Sequence, residues 1–232
     1  MTPGLELRDV DKALGGHPVL RGVSLRAEPG KVLCVVGRSG AGKSVLTRIA
    51  IGLLQPDRGE VWLLGSRIDG LSRGKLRRAR RGAGLVLQGA ALLGWLSLLE
   101  NVALPLRQGL GLRRREALGR AEEALRGVGL GDDAGLLPSR VSAGARQRAA
   151  VARALALEPR AVLYDEPTTG LDPLAARQVD QLIRASADRG ASVLVVTHDM
   201  ETVRTVADET LELAEGALRP QGTSTQPELP EV

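Results

Sequence analysis

Gly37-Arg38-Ser39-Gly40-Ala41-Gly42-Lys43-Ser44 fits the pattern G-x-x-x-x-G-K-[ST] and follows an apolar run, Val32 to Val36. That order, a buried strand entering a glycine-rich loop, constrains the fold more than any other feature of the chain. Glycines let the backbone curl until several N–H groups converge on one anion, and the loop then opens a helix whose positive end faces the same point. A helical face follows at Val45, Leu46, Ile49, Ala50 and Leu53. Lys43 is expected to bring a point charge to the β- and γ-phosphates of a nucleotide, and the Ser44 hydroxyl to ligate Mg²⁺.

The rest of the chain supplies the sheet that such a loop needs. Leu5 to Gly30 alternates apolar and polar residues between Gly15-Gly16 and Pro29-Gly30, the pattern of antiparallel strands. Glu60–Leu64, Gly84–Gln88, Ala161–Tyr164 and Ser192–Val196 read as further strands, with a helix from Leu174 to Arg189 between the last two. Strand–helix–strand units of this kind predict a parallel sheet with right-handed crossovers. Gly89 to Glu158 turns helical, with Arg and Glu three and four apart around Arg113 to Arg126. The expected fold is α/β: a P-loop NTPase (RecA-like) core with an antiparallel β subdomain and an inserted α-helical subdomain. All 232 residues are expected to belong to one domain, with the core in 1–88 and 159–218 and the helical insert in 89–158. Residues 219–232, rich in Pro, Ser, Thr and Glu, are expected to be a disordered tail.

Composition narrows the chemistry. There is no Phe, and the aromatics are Tyr164, Trp62 and Trp95 alone, so the core must be aliphatic. Of 32 basic residues only Lys12, Lys31, Lys43 and Lys75 are lysines, and the formal net charge is +5. The densest cluster, Arg73, Lys75, Arg77, Arg78, Arg80 and Arg81, has no interleaved aromatics to stack on bases. It reads as a solvated helix face, and no nucleic-acid partner is expected. Cys34, the single cysteine, reads as a buried small hydrophobe, so no internal disulfide can form. No export leader is expected from Met1–Glu6, and no apolar stretch approaches the roughly 18–20 residues of a membrane span.

Other candidate site residues sit at strand ends. Asp165 and Glu166 close the apolar run Val162–Tyr164, at the sheet edge where ligands bind in open α/β folds. Asp165 is expected to hold Mg²⁺ through its water shell, and Glu166 to take a proton from the water that attacks the γ-phosphate. His198, one of only two histidines, follows the strand Ser192–Val196 and is assigned a γ-phosphate contact. Gln88 could coordinate Mg²⁺ or the attacking water. Ser142 and Gly144 lead into an apolar helix, a second anion-accepting helix tip. If the two tips lie on different lobes, one nucleotide cannot touch both, and Ser142 with Gly144 would serve the nucleotide of a second subunit.

Together these residues resemble the ATP-binding cassette (ABC) ATPases, over Leu5 to about Leu218. In that resemblance Gly37–Ser44 look like the Walker A loop, Gln88 the Q-loop and Ser142–Arg146 the signature. Asp165 and Glu166 look like Walker B with its catalytic Glu, Asp172 the nucleotide-contacting D-loop, and His198 the switch histidine. The resemblance implies ATP and Mg²⁺ as cofactors and a head-to-tail homodimer sandwiching two nucleotides. It also implies integral-membrane permease subunits and a peripheral position on the cytoplasmic face of the inner (plasma) membrane. Three departures stand out. Ala143 and Ala145 replace signature residues, and no aromatic between Met1 and Gly30 can stack on adenine, leaving Lys12 or His17 to cover the base. Leu87–Leu93 and Leu99–Arg107 look like the matching segments of ATPases serving MCE-type lipid transporters, the Mla phospholipid system among them. That likeness implies lipid cargo and an MCE-type lipid-binding protein in the complex. An ABC ATPase for another cargo (lipoprotein, amino acid, metal chelate) shares every catalytic residue, and a soluble nucleotide switch is a third reading.

Overall fold

The computed structural model describes residues 2–221, so the expectation for the tail beyond 221 lies outside the described residues. Strands β1 (Leu5–Leu14) and β2 (His17–Ala27) form the antiparallel hairpin, turning at Gly15-Gly16. β3 (Val32–Val36) runs through the glycine loop into helix α1 (Lys43–Ala50). β4 (Arg58–Leu63) and the short β5 (Ser66–Arg67) complete a four-stranded antiparallel sheet ordered β2-β1-β4-β5. Helix α2 (Arg73–Ala79) and a 3-10 turn lead to β6 (Ala83–Val86).

Three helices follow: α3 (Leu98–Leu110), α4 (Arg114–Gly127) and α5 (Ala143–Leu155). The chain then alternates β7 (Ala161–Asp165), α6 (Pro173–Asp188), β8 (Ser192–Thr197), α7 (Met200–Val206), β9 (Glu209–Ala214) and β10 (Ala217–Pro220). The second sheet runs β10-β9-β3-β8-β7-β6, parallel except for the β9–β10 hairpin. β10 carries the chain through Arg219 and Pro220, which the sequence pattern assigns to the tail.

Both faces of this sheet are covered, as a parallel sheet requires. Along β3, Leu33 and Val35 pack with Leu46 and Ile49 of α1 and with Leu5, Leu7 and Leu63 of the antiparallel sheet. Val32, Cys34 and Val36 point the other way, toward Val179 and Ile183 of α6. Tyr164 is fully buried there, its hydroxyl 3.1 Å from Ser186 Oγ. Leu98, Val102, Leu106, Ala121, Leu125 and Ala149 form a third core among α3, α4 and α5. Leu92 and Leu99 are half-buried against this core.

Two local readings need correction. Helix α1 stops at Ala50 because Gly52 takes φ 72, with Leu53 N–H on Arg48 O at 2.7 Å and Gly52 N–H on Ile49 O at 2.8 Å. That is a Schellman stop, and it leaves Leu53 55% exposed rather than on the helical face. The basic cluster, on α2 and the 3-10 turn after it, is solvent-facing as expected apart from Arg80, whose Nε donates to Ile51 O at 2.7 Å, just beyond α1. Among the described residues, no helix is long and apolar enough to cross a membrane.

Candidate functional site

The carboxyl ends of β3, β6, β7 and β8 open onto one cleft of about 710 Å³. Arg38, Ser39, Gly40, Gly42, Lys43, Ser44, Gln88, Glu166 and His198 line it. Gly42 holds φ 102, and a Cβ there would come within 2.9 Å of Val19 Cγ1, so the loop-to-helix turn admits only glycine. Gly37 and Ala41 belong to the loop itself. Lys43 Nζ donates to the Gly37 carbonyl at 2.8 Å and the Arg38 carbonyl at 3.2 Å.

Lys43 Nζ also lies 3.3 Å from Glu166 Oε1, an ion pair with both side chains under 10% exposed. The other carboxylate oxygen, Oε2, meets His198 Nδ1 at 2.8 Å, Thr169 Oγ1 at 3.0 Å and Thr197 Oγ1 at 3.3 Å. Glu166 is therefore held on both oxygens, where the sequence suggests a free base. His198 Nδ1 is committed to the carboxylate, and the residue lines the cleft. Burial raises the Glu166 pKa, but the hydrogen bonds from Thr169 and His198 and the Lys43 charge outweigh it and hold the carboxyl below its usual range. The backbone of Glu166 sits at φ 50, fixed by its N–H on Val196 O at 2.8 Å.

Asp165 behaves oppositely. Burial and the neighbouring Glu166 charge push its pKa up, against the Ser44 hydroxyl and the Arg48 and Lys43 charges. Its Oδ1 is buried with no hydrogen-bond partner. A carboxyl with one unpartnered oxygen next to a serine hydroxyl offers the oxygen donors a hard divalent cation takes, so the residues present fit Mg²⁺ at Ser44 and Asp165, and Ser44 shares its cleft with Gln88.

The cleft wall also holds Leu14 and Val19. Lys12, expected to cover the base, is instead paired to Asp57 at 2.6 Å, and His17 does not line the cleft. Leu14, 43% exposed at the end of β1, offers the apolar surface beside the phosphate loop. Its signal in the sequence is an apolar residue stranded at a glycine turn.

Ser142, Gly144 and Asp172 are not among the cleft's residues. Ser142 is exposed and caps α5, its Oγ accepting from Ala145 N–H at 3.1 Å. Ala143 is exposed beside it. Gly144 is buried, and a Cβ there would fall 2.6 Å from Ala175 Cβ of α6, so this glycine serves close packing of α5 on α6. Asp172 caps α6, its Oδ1 accepting from Leu174 and Ala175 N–H at 3.0 and 2.9 Å.

Behind His198, the Asp199 side chain caps α7 and accepts from Thr168 Oγ1 at 3.2 Å and Thr202 Oγ1 at 3.3 Å. Asp180 of α6 meets this cluster at Thr202. It is 2% exposed, its Oδ1 has no partner, and burial, reinforced by Asp199 and Glu201, pushes its pKa up to about 6.

Comparison with known proteins places this geometry among relatives. The family model described as ABC transporter matches residues 20–169. The methionine import ATP-binding protein of Brucella abortus is 38% identical over 222 residues, 95% of this chain and 60% of that protein. Its namesake in Rhizobium johnstonii is 41% identical over 219 residues, again 60% of the relative. The chain thus spans about 60% of the length of these relatives. A dimeric structure of the ATP-binding cassette MJ0796 in a post-hydrolysis state, bound to ADP and Pi, superposes with a TM-score of 0.85 at 32% identity. That match covers 93% of this chain and 96% of the other.

Proposed function

The chain belongs to the ABC transporter family, and on that premise we propose that it binds and hydrolyses ATP as the energising subunit of a membrane transporter. The observation that carries this reading is one cleft joining Lys43, Ser44, Glu166 and His198, with the Asp165 carboxyl next to Ser44 and its Oδ1 unpartnered. The triphosphate lies on the loop amides with its γ-phosphate toward Lys43. For it to do so, the Lys43 ammonium exchanges Glu166 for phosphate oxygens. Glu166, released from Lys43 but still oriented by Thr169 and His198, accepts a proton from the attacking water. That oxygen forms a bond to the γ-phosphorus as the bond to the β–γ bridging oxygen breaks, giving ADP and phosphate. Ser44, Asp165 and Gln88 would hold Mg²⁺, which would supply positive charge to offset that of the phosphates.

Ser142 and Asp172 lie off the cleft, which supports a second copy of the chain contributing them to the facing nucleotide, while Gly144 seats the helix that carries Ser142. A homodimer on the cytoplasmic face of a membrane, docked on permease subunits, is the assembly this implies. For cargo, relatives named for methionine import favour the amino-acid alternative over lipid. The lipid reading, with its MCE-type partner, rests on local resemblance in Leu87–Leu93 and Leu99–Arg107, together with Leu136–Ser142 and Ala145-Arg146. Co-purification of the full chain with its permease, followed by ATPase assays in lipid-free detergent with added methionine or phospholipid, tests both. Stimulation by methionine supports the amino-acid reading. Stimulation by phospholipid alone refutes it, and no hydrolysis under any condition refutes the ATPase assignment.

A further inference from the structure

Between Asp69 and Glu100 the chain carries no acid, yet it holds Arg73, Lys75, Arg77, Arg78, Arg80 and Arg81. Those six cations exceed the net charge of +5 for the whole chain, so the rest is close to neutral and the positive field is concentrated here. Abundance of arginine does not explain it. On α4, Arg120 and Arg126 pair with Glu116 and Glu122, one turn away. Among the described residues, none of the six on α2 and the turn after it makes an ion pair. Arg73 and Lys75 also stand in the first turn of α2, where no acid is present and a cation opposes the helix dipole. The helix buries Leu76 alone, and Arg73, Lys75, Arg77, Arg78 and Arg81 are exposed. Arg80 fastens the turn to the end of α1 through Ile51 O, and Gly52 packs there: a Cβ on it would meet Leu76 Cδ1 at 2.9 Å and Arg80 Nη2 at 3.5 Å. The next residue is Leu53, 55% exposed, so an apolar side chain stands beside the cations.

We propose that this face docks the chain directly on an anionic lipid surface, with the five exposed cations at headgroup phosphates and Leu53 in the interfacial layer. The seven residues of α2 span about 10 Å, which spreads the charges over several anions rather than one. Clustered Lys and Arg beside an apolar side chain match a headgroup layer, where charge meets phosphate and leucine meets the acyl boundary. A nucleic-acid strand would call for aromatic stacking, and no aromatic stands between Trp62 and Trp95. The proposal adds a contact to the membrane position given above but needs neither permease nor nucleotide, so the two readings fail separately.

The test is co-sedimentation of the purified full chain with protein-free vesicles. At about 0.1 M salt, where charges act over about 10 Å, it should bind vesicles of phosphatidylglycerol and phosphatidylcholine in equal parts and not pure phosphatidylcholine. At about 1 M salt that range falls to about 3 Å, and the bound chain should be released. Each surface cation contributes roughly fivefold, so Arg77→Gln, Arg78→Gln and Arg81→Gln together should weaken binding about 100-fold. Arg78→Gln alone should weaken it about fivefold and serves if the triple variant does not fold. Leu53→Ser should weaken it severalfold. None of these should change nucleotide binding. Arg113→Gln, Arg114→Gln and Arg115→Gln together remove as much charge from an exposed run at the start of α4, and that variant should bind nearly as the wild type. Equal binding to neutral vesicles, no binding to anionic ones, full retention in the α2 variants or an equal loss in the α4 variant each overturns the proposal. So does duplex DNA held as tightly as the anionic vesicles, which would make α2 a general polyanion face. Release by inorganic phosphate at constant ionic strength overturns it too, in favour of a free-phosphate site.

Discussion

Replacing Asp180 with Asn should make this protein more stable at neutral pH, although the side chain is 2% exposed. Its carboxyl is pushed from an ordinary 3.8 to about 6 by burial and by the Asp199 and Glu201 charges, and one oxygen has no partner. That rise corresponds to roughly 3 kcal/mol at 1.36 kcal/mol per tenfold. Because the folded-state value lies above the unfolded one, folding is penalised fully above about pH 6 and not at all below the unfolded value of 3.8. Asn removes the charge and keeps the shape, and its amide can donate to Thr202 Oγ1, whose own hydroxyl already donates to Asp199. After imperfect repacking, about 1–3 kcal/mol should remain at pH 7.5, or about 3–9 °C in Tm for a domain of this size. At pH 5 roughly half of the gain should vanish, because wild-type Asp180 is then largely protonated. Differential scanning fluorimetry of both proteins at pH 5 and 7.5 measures this directly. A gain independent of pH, or a lower Tm at pH 7.5, refutes the reasoning.

Three further outcomes are expected. Glu166→Gln should keep nucleotide binding, lose at least about 100-fold in turnover, and accumulate ATP-bound dimer on size exclusion; near wild-type hydrolysis would remove Glu166 as the water's base. Gly144→Ala should cost about 1–3 kcal/mol through its contact with Ala175, with Ala175→Gly restoring part of it in urea titrations. With Leu14 and Val19 rather than an aromatic beside the phosphate loop, ATP and GTP should bind within tenfold of one another, and Leu14→Tyr should tighten ATP; calorimetry showing a tenfold preference for ATP in the wild type would exclude this.

Much of the molecule is legible in the chain itself because its chemistry is local. The glycine loop, the strand before it and the acids ending β7 each announce themselves within a few residues, and the strand–helix alternation dictates a parallel sheet. What escapes a reading of the residues depends on contacts across the fold. Nothing near Leu53 shows it to be exposed until Gly52 is recognised as a left-handed stop. The parking of Glu166 on Lys43 and His198 joins residues from three separate segments. Gly144 reads as a phosphate-approach glycine in its motif, yet its neighbour is Ala175, 31 positions away in the chain. The lipid assignment draws on a leucine-rich stretch, and such stretches recur wherever helices bury aliphatic surface.

The tight seating of α5 on α6 has a geometric corollary. With no room for even a methyl group between Gly144 and Ala175, the serine-tipped helix and the aspartate-capped one cannot slide past each other. A neighbouring copy would meet them as one stiff edge, its spacing set inside each subunit before the two halves touch.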